Sequence, residues 1–240
     1  MKTDDMNPSV ALGERVIPYT LYRTDRKHLK IVVSPDLSVS VYAPVKAKES
    51  LIAKLVQKKA AWIARKLDLV ETFHPLPSPK KYVSGETFVY LGRQYRLKVE
   101  QGKNRSAKLR GRYLLVQVKD IESHKESRQI TDSWYRNHAK EIFNRYLQKN
   151  LAVGERHGIP KPILSIRKMK TRWGSCSSAG RITLNTELVK MPVHCIEYVI
   201  MHELCHMLHY NHGSKFYSLL TRCQPDWKAR KEVLDRIRLN

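Results

Sequence analysis

The 240-residue chain has no apolar run approaching the ~18 residues that a bilayer crossing needs, so a membrane-spanning helix is not expected. Its opening, MKTDDMNPSVALGERV, holds no apolar stretch of the kind a secretory leader carries. These two absences predict a cytoplasmic protein with no membrane partner. Cysteine is scarce: Cys176, Cys195, Cys205 and Cys223 are the four, and no two are spaced as CxxC. That argues against a disulfide framework and against a four-cysteine zinc knuckle, whose ligands close in short pairs. Free thiols are expected. Acid is scarce as well, with 22 Asp and Glu against 45 Lys and Arg and a net charge of +23. So unbalanced a chain attracts polyanions, which makes nucleic acid or a nucleotide on the basic surface an expected partner class. The positive residues run through the whole chain, and nothing in their pattern separates DNA from a nucleotide. Internal repeats are missing, and no feature sets an oligomeric state.

What is present reads as an α+β chain. LKIVV and LSVSVYAP alternate apolar and polar residues around Ser34-Pro35-Asp36, which predicts a β-hairpin. Apolar residues then recur at helical spacing from Leu51 to Leu69, and His74 to Pro79 reads as a stiff, proline-rich linker. TFVYLG, QYRLKVE, AKLRG and YLLVQVK predict a small antiparallel sheet. A helix is expected from about Ser127 to His157, ended by Gly158 and Pro160. Strands are expected at Ile163–Met169 and Arg181–Leu188, with a tight small-residue loop between them at Trp173 to Gly180. After Pro192, VHCIEYVIMHELCHMLH is apolar on nearly every side, as a buried central helix is. Two further helices flank Pro225. The composition divides the chain into a β-rich N-terminal region with one helix, 1–125, and a second domain, 126–240.

The chemistry concentrates in His202-Glu203-Leu204-Cys205-His206. Residues four apart lie one turn apart on one helix face, so both imidazoles can reach one ion. Glu203 is rotated by about 100° from His202. It is therefore badly placed as a ligand and well placed as a general base toward water activated by the metal. A third ligand is needed, and the spacing leaves choices open. His212 can return to the ion if the helix ends and turns near His209. His209 itself is about 10 Å along the axis from His202. Glu232 or Asp235 would serve if a later helix crossed the site. Cys205 faces roughly away and reads as a small buried hydrophobe. His194 and Cys195 lie too far along the axis.

HELCHMLHYNHGSKFY, preceded by KMKTRWGSCSSAGRITLNTELVKMP, resembles the YgjP-like metal-dependent hydrolases, which are similar in turn to the SprT-like zinc proteases. The likeness extends upstream through SGETFVYLGRQYRLKV and WYRNHAKEIF. It implies Zn²⁺ on His202, His206 and His212, with Glu203 as catalytic base. It also implies a zincin-like minimal metallopeptidase fold for 126–240, with the HExxH helix buried, and a protein or peptide substrate. In such proteases the substrate lies along a strand. The candidate strand is Arg181 to Thr186, with Ile182 and Asn185 as substrate contacts beside Arg172 and Trp173. Arg172, with Lys170 and Arg167, could meet an anionic group or an oxyanion. The competing readings are a hydrolase of a small anionic substrate such as a nucleoside triphosphate, and a non-catalytic nucleic-acid-binding module with structural zinc.

Overall fold

A computed structural model describes residues 8–34, 36–71 and 79–236. Two packing units divide the chain, Met1–Pro79 and Lys80–Asn240. Among the described residues no helix is long and apolar enough to cross a membrane.

In the first unit, β1 (Ser9–Leu12) and β2 (Arg15–Pro18) pair across a turn that holds Gly13 at φ +59°, a conformation side chains resist. β3 (Thr20–Thr24), β4 (Lys30–Val33) and β5 (Val39–Pro44) form a sheet in the order β3-β5-β4. The β4–β5 pair is the expected antiparallel hairpin, and Pro35 of its turn lies outside the described residues. The helix expected over 51–69 is two helices, α1 (Glu49–Gln57) and α2 (Ala60–Glu71). Between them the ladder tightens, with the Lys59 N–H bonding the Val56 carbonyl at 2.9 Å. Ile52 and Val56 of α1, and Ile63 and Leu67 of α2, then join one core with Val41. The expected linker falls mostly on 72–78, outside the described residues.

The second unit opens with β6 (Thr87–Tyr90), β7 (Arg93–Gln101), β8 (Ser106–Arg110) and β9 (Tyr113–Val118), ordered β6-β7-β9-β8. The sheet expected to be antiparallel is mixed. β8 turns back outside β9, which leaves β9 parallel to β7. α3 (His124–Gly154) begins at Ser123, whose hydroxyl accepts the Glu126 N–H, while the Glu126 carboxylate takes the N–H groups of Lys119 and Asp120. β10 (Ile163–Arg167), β11 (Gly174–Cys176) and β12 (Arg181–Asn185) form a sheet ordered β10-β12-β11. α4 (Val193–Cys205), α5 (Ser214–Cys223) and α6 (Trp227–Arg236) complete it.

Packing puts the division at Pro79, whereas composition put it at 125/126. The reason is a common core: Phe88, Leu97 and Val116 of the four-stranded sheet belong to the same cluster as Phe143 of α3 and Ile196 and Ile200 of α4.

Glu197 braces that core. Its carboxylate meets Arg230 of α6 at 2.8 Å and Lys149 of α3 at 2.7 Å. Burial raises its pKa, but the hydrogen bonds of the two cations outweigh it and hold the carboxyl below its ordinary range. Lys149 is largely exposed, so the 21%-exposed Arg230 carries most of the effect. A depressed folded-state value means that the stabilisation is present above the ordinary carboxylate range and is lost as pH falls through the folded value. Glu197→Gln should therefore cost about 2 kcal/mol near neutrality. The gap from wild type should close as pH falls below about 4. Denaturant melts across a pH series check this, and a gap independent of pH would remove the ion pairs as its cause.

Candidate metal centre

α4 is rich in apolar residues, and ten of its thirteen are buried, Glu203 included. It ends at Cys205, short of the expected His209, so His206 stands at the helix terminus. The chain then turns through 207–213 into α5, and this reversal carries His212 back beside the helix. The Nε2 atoms of the three histidines converge: His202 to His206 is 3.2 Å, His206 to His212 is 3.1 Å, and His212 to His202 is 3.0 Å. Among the described residues this is the group of donors able to hold a metal.

The chemistry of the donor set fits a cation. The His206 Nδ1 lies 2.9 Å from the His209 carbonyl. A carbonyl only accepts, so Nδ1 carries the proton and the neutral ring turns a bare Nε2 lone pair toward the other two nitrogens. Tetrahedral zinc with Zn–N of about 2.0–2.1 Å sets its ligand nitrogens about 3.3–3.4 Å apart, close to the spacing found. Burial, then the neighbouring imidazoles, push His202 down to about 3, and burial lowers His206 as well. Both rings are therefore neutral, as metal ligands must be. The His202 Nδ1 has no hydrogen-bond partner among the described residues. His212 is exposed, so the cluster opens outward.

Phe216, fully buried on α5, lies beneath all three rings, with centroids 5.0, 4.6 and 4.7 Å from those of His202, His206 and His212. Sequence reasoning missed it. Phe216 stands four residues after His212, in the first turn of α5, a placement that follows from where that helix starts and that spacing alone does not signal.

Glu203 lies against β11. A Cβ placed on Gly174 would fall 2.6 Å from Glu203 Oε1 and 2.8 Å from its Cγ, so the carboxylate occupies the space that glycine leaves. Burial pushes this carboxyl up to about 8, and the nearby Arg172 pulls the other way. A cation on the neighbouring imidazoles would favour the carboxylate form further.

The other expected residues sort differently. The His209 carbonyl orients His206, while Glu232 and Asp235 pair with Arg236 and Lys231 of their own helix. Cys205 is fully buried with its thiol beside Cys223, and burial raises it to about 12. Trp173 is partly buried against the core. The expectation that Ile182 and Asn185 contact substrate is corrected. β12 is the central strand, its edges filled by β10 and β11, and both residues are 0% exposed. The Asn185 amide is committed to the carbonyls of Met169 and Arg172, and its oxygen to the N–H groups of Met169 and Glu187. The open edge beside Glu203 is β11, which sequence reasoning took for a loop. Trp173 and Ser177 bond β12, so along the strand the main-chain groups of Gly174 and Cys176 point outward.

A family model of the YgjP-like metallopeptidase domain matches residues 27–237. No curated protein matches the chain. Among solved structures, the metallopeptidase zymogen of Pyrococcus abyssi abylysin is 24% identical with a TM-score of 0.35, over 39% of this chain and 90% of that one. The metallopeptidase zymogen of Methanocaldococcus jannaschii jannalysin is 24% identical with a TM-score of 0.32, over 40% and 92%.

Proposed function

The chain belongs to the YgjP-like metallopeptidase family, and from that premise we propose that it hydrolyses peptide bonds with zinc held by His202, His206 and His212 and with Glu203 as general base. The family implies a divalent metal and a protein or peptide substrate. The observation that carries the finer reading is the convergence of three Nε2 atoms within 3.2 Å beside a buried carboxylate. Bound there, zinc supplies Lewis-acid chemistry, polarising a carbonyl and lowering the pKa of water. Glu203 takes the proton of the attacking water and delivers it to the leaving amine. The outward N–H and C=O groups of Gly174 and Cys176 align an extended substrate beside Glu203 by strand addition. Arg172, close enough to Glu203 to favour its charged form, supports the negative charge that develops on the carbonyl oxygen. In this reading Lys80–Asn240 as a whole carries a zincin-like domain, with its helix α4 presenting the motif.

Gly174 offers a sharp check. Gly174→Ala pushes a methyl group into the Glu203 carboxylate and leaves the imidazoles alone. Turnover should fall by about 10²-fold, at unchanged metal content. A wild-type rate would mean that the carboxylate does not act from this position.

The activity itself is tested by offering the zinc-loaded chain a panel of unfolded proteins and, separately, nucleoside triphosphates. Cleavage of the proteins, abolished by a chelator and restored by zinc, is the expected result. Turnover of nucleotides alone would overturn the peptidase reading. Two-metal phosphoryl sites hold their ions about 3.5–4 Å apart, and among the described residues a single metal-binding group is found. The expected nucleic-acid contact draws its support from net charge alone.

A further inference from the structure

A groove of about 910 Å³ runs between α3 and β10, on the far side of β12 from β11. One wall is an unfilled sheet edge. The Ile163 N–H bonds the Gly180 carbonyl at 2.9 Å, and β10 pairs with β12 in parallel register, Ile163 opposite Arg181. With a period of two, Ile163, Ser165 and Arg167 turn their main-chain groups to β12, and Leu164 and Ile166 turn theirs outward. Leu164 and Ile166 line the groove. The edge strand of the other sheet, β6, is covered at this point, because the Tyr135 hydroxyl donates to the Val89 carbonyl at 2.7 Å.

The groove is also strongly positive, with six Lys and Arg side chains against two carboxylates. Those carboxylates are already answered. Glu187 pairs with Lys190 and Lys168, and Asp132 with Arg128. Arg136, Lys140 and Arg167 form no ion pair among the described residues. Of the three aromatic rings that line the groove, Phe88 and Tyr135 are 6% and 5% exposed, and the half-buried Tyr82 packs against Phe88 with Arg128 over its ring, so no run of open ring faces forms a stacking platform. Single-stranded nucleic acid relies on such platforms, whereas an added strand relies on open main-chain groups.

We propose that this groove binds an extended acidic peptide segment as an extra strand on β10, its carboxylates meeting Arg136, Lys140 and Arg167. The site is separate from the metal centre, and the proposal does not depend on the peptidase chemistry.

The test uses the full chain carrying Glu203→Gln, so that no probe is consumed. The probe is a fluorescent peptide of about ten residues alternating Glu and Val, long enough to span a strand. Fluorescence anisotropy should report binding that weakens with salt. A peptide with Lys in place of Glu should not bind. Arg136→Glu with Lys140→Glu should weaken binding at least about tenfold, the scale of losing close charge pairs. Ile166→Pro removes an outward N–H without touching a bond to β12, and proline is tolerated on edge strands. It should weaken binding to a similar degree at a temperature where a melting curve shows the variant folded, since Ile166 also packs against the core. Equal binding by either variant would overturn the proposal. So would binding of a single-stranded oligonucleotide of the same length, sensitive to the charge reversal, in place of the peptide.

Discussion

Glu203→Gln should retain a full complement of zinc and lose turnover by about 10³–10⁴-fold. The amide matches the carboxylate in size, so it fills the space beside Gly174 without disturbing α4 or the three imidazoles. What it cannot do is take a proton from water. The variant therefore separates the two proposed roles, holding the metal and moving the proton, whose residues stand side by side in the sequence. Metal analysis and peptide hydrolysis on the same sample decide the matter. Near-normal turnover at full zinc content would remove Glu203 as the base.

His212→Ala should act on the other role. It removes one of three converging nitrogens, leaving the pair on α4 with two protein donors where a catalytic zinc site uses three. Zinc content after dialysis should fall to a small fraction of one equivalent, and activity should fall with it. Because His212 is exposed and lies outside α4, the fold should survive. A chelator competition read by metal analysis, alongside a thermal melt, gives the answer. Undiminished zinc would return the third position to His209, Glu232 or Asp235.

The pairing of His202 with His206 was legible because helical spacing is a local property of the chain. The place of His212 was named through the family resemblance and was not fixed by spacing, since it depends on where α4 stops. Spacing alone kept His209, Glu232 and Asp235 in contention, and only the turn after Cys205 sets His212 beside the other two imidazoles. β11 was illegible for a different reason. Gly-Ser-Cys has little intrinsic strand preference, and these residues are extended because β12 supplies their ladder partners. That error moved the expected substrate edge onto Ile182 and Asn185. Their buried strand lies in the middle of its sheet, where alternation carries no mark of edge or centre. The break between α1 and α2 escaped notice too, because Lys58 and Lys59 are good helix formers and only the packing of Ile63 and Leu67 calls for the bend. Composition grouped the sheet from β6 to β9 with the N-terminal region, yet its apolar face joins the core on which α3 and α4 rest.

The contact between the His206 ring and residue 209 has a wider meaning. The partner there is the peptide oxygen, not the imidazole that made His209 conspicuous in the sequence. The orientation of the His206 ring is thus governed by backbone path and not by the imidazole at position 209. A substitution at 209 that keeps the turn should leave the His206 ring oriented as it is, while a one-residue change in loop length should displace the carbonyl that holds it.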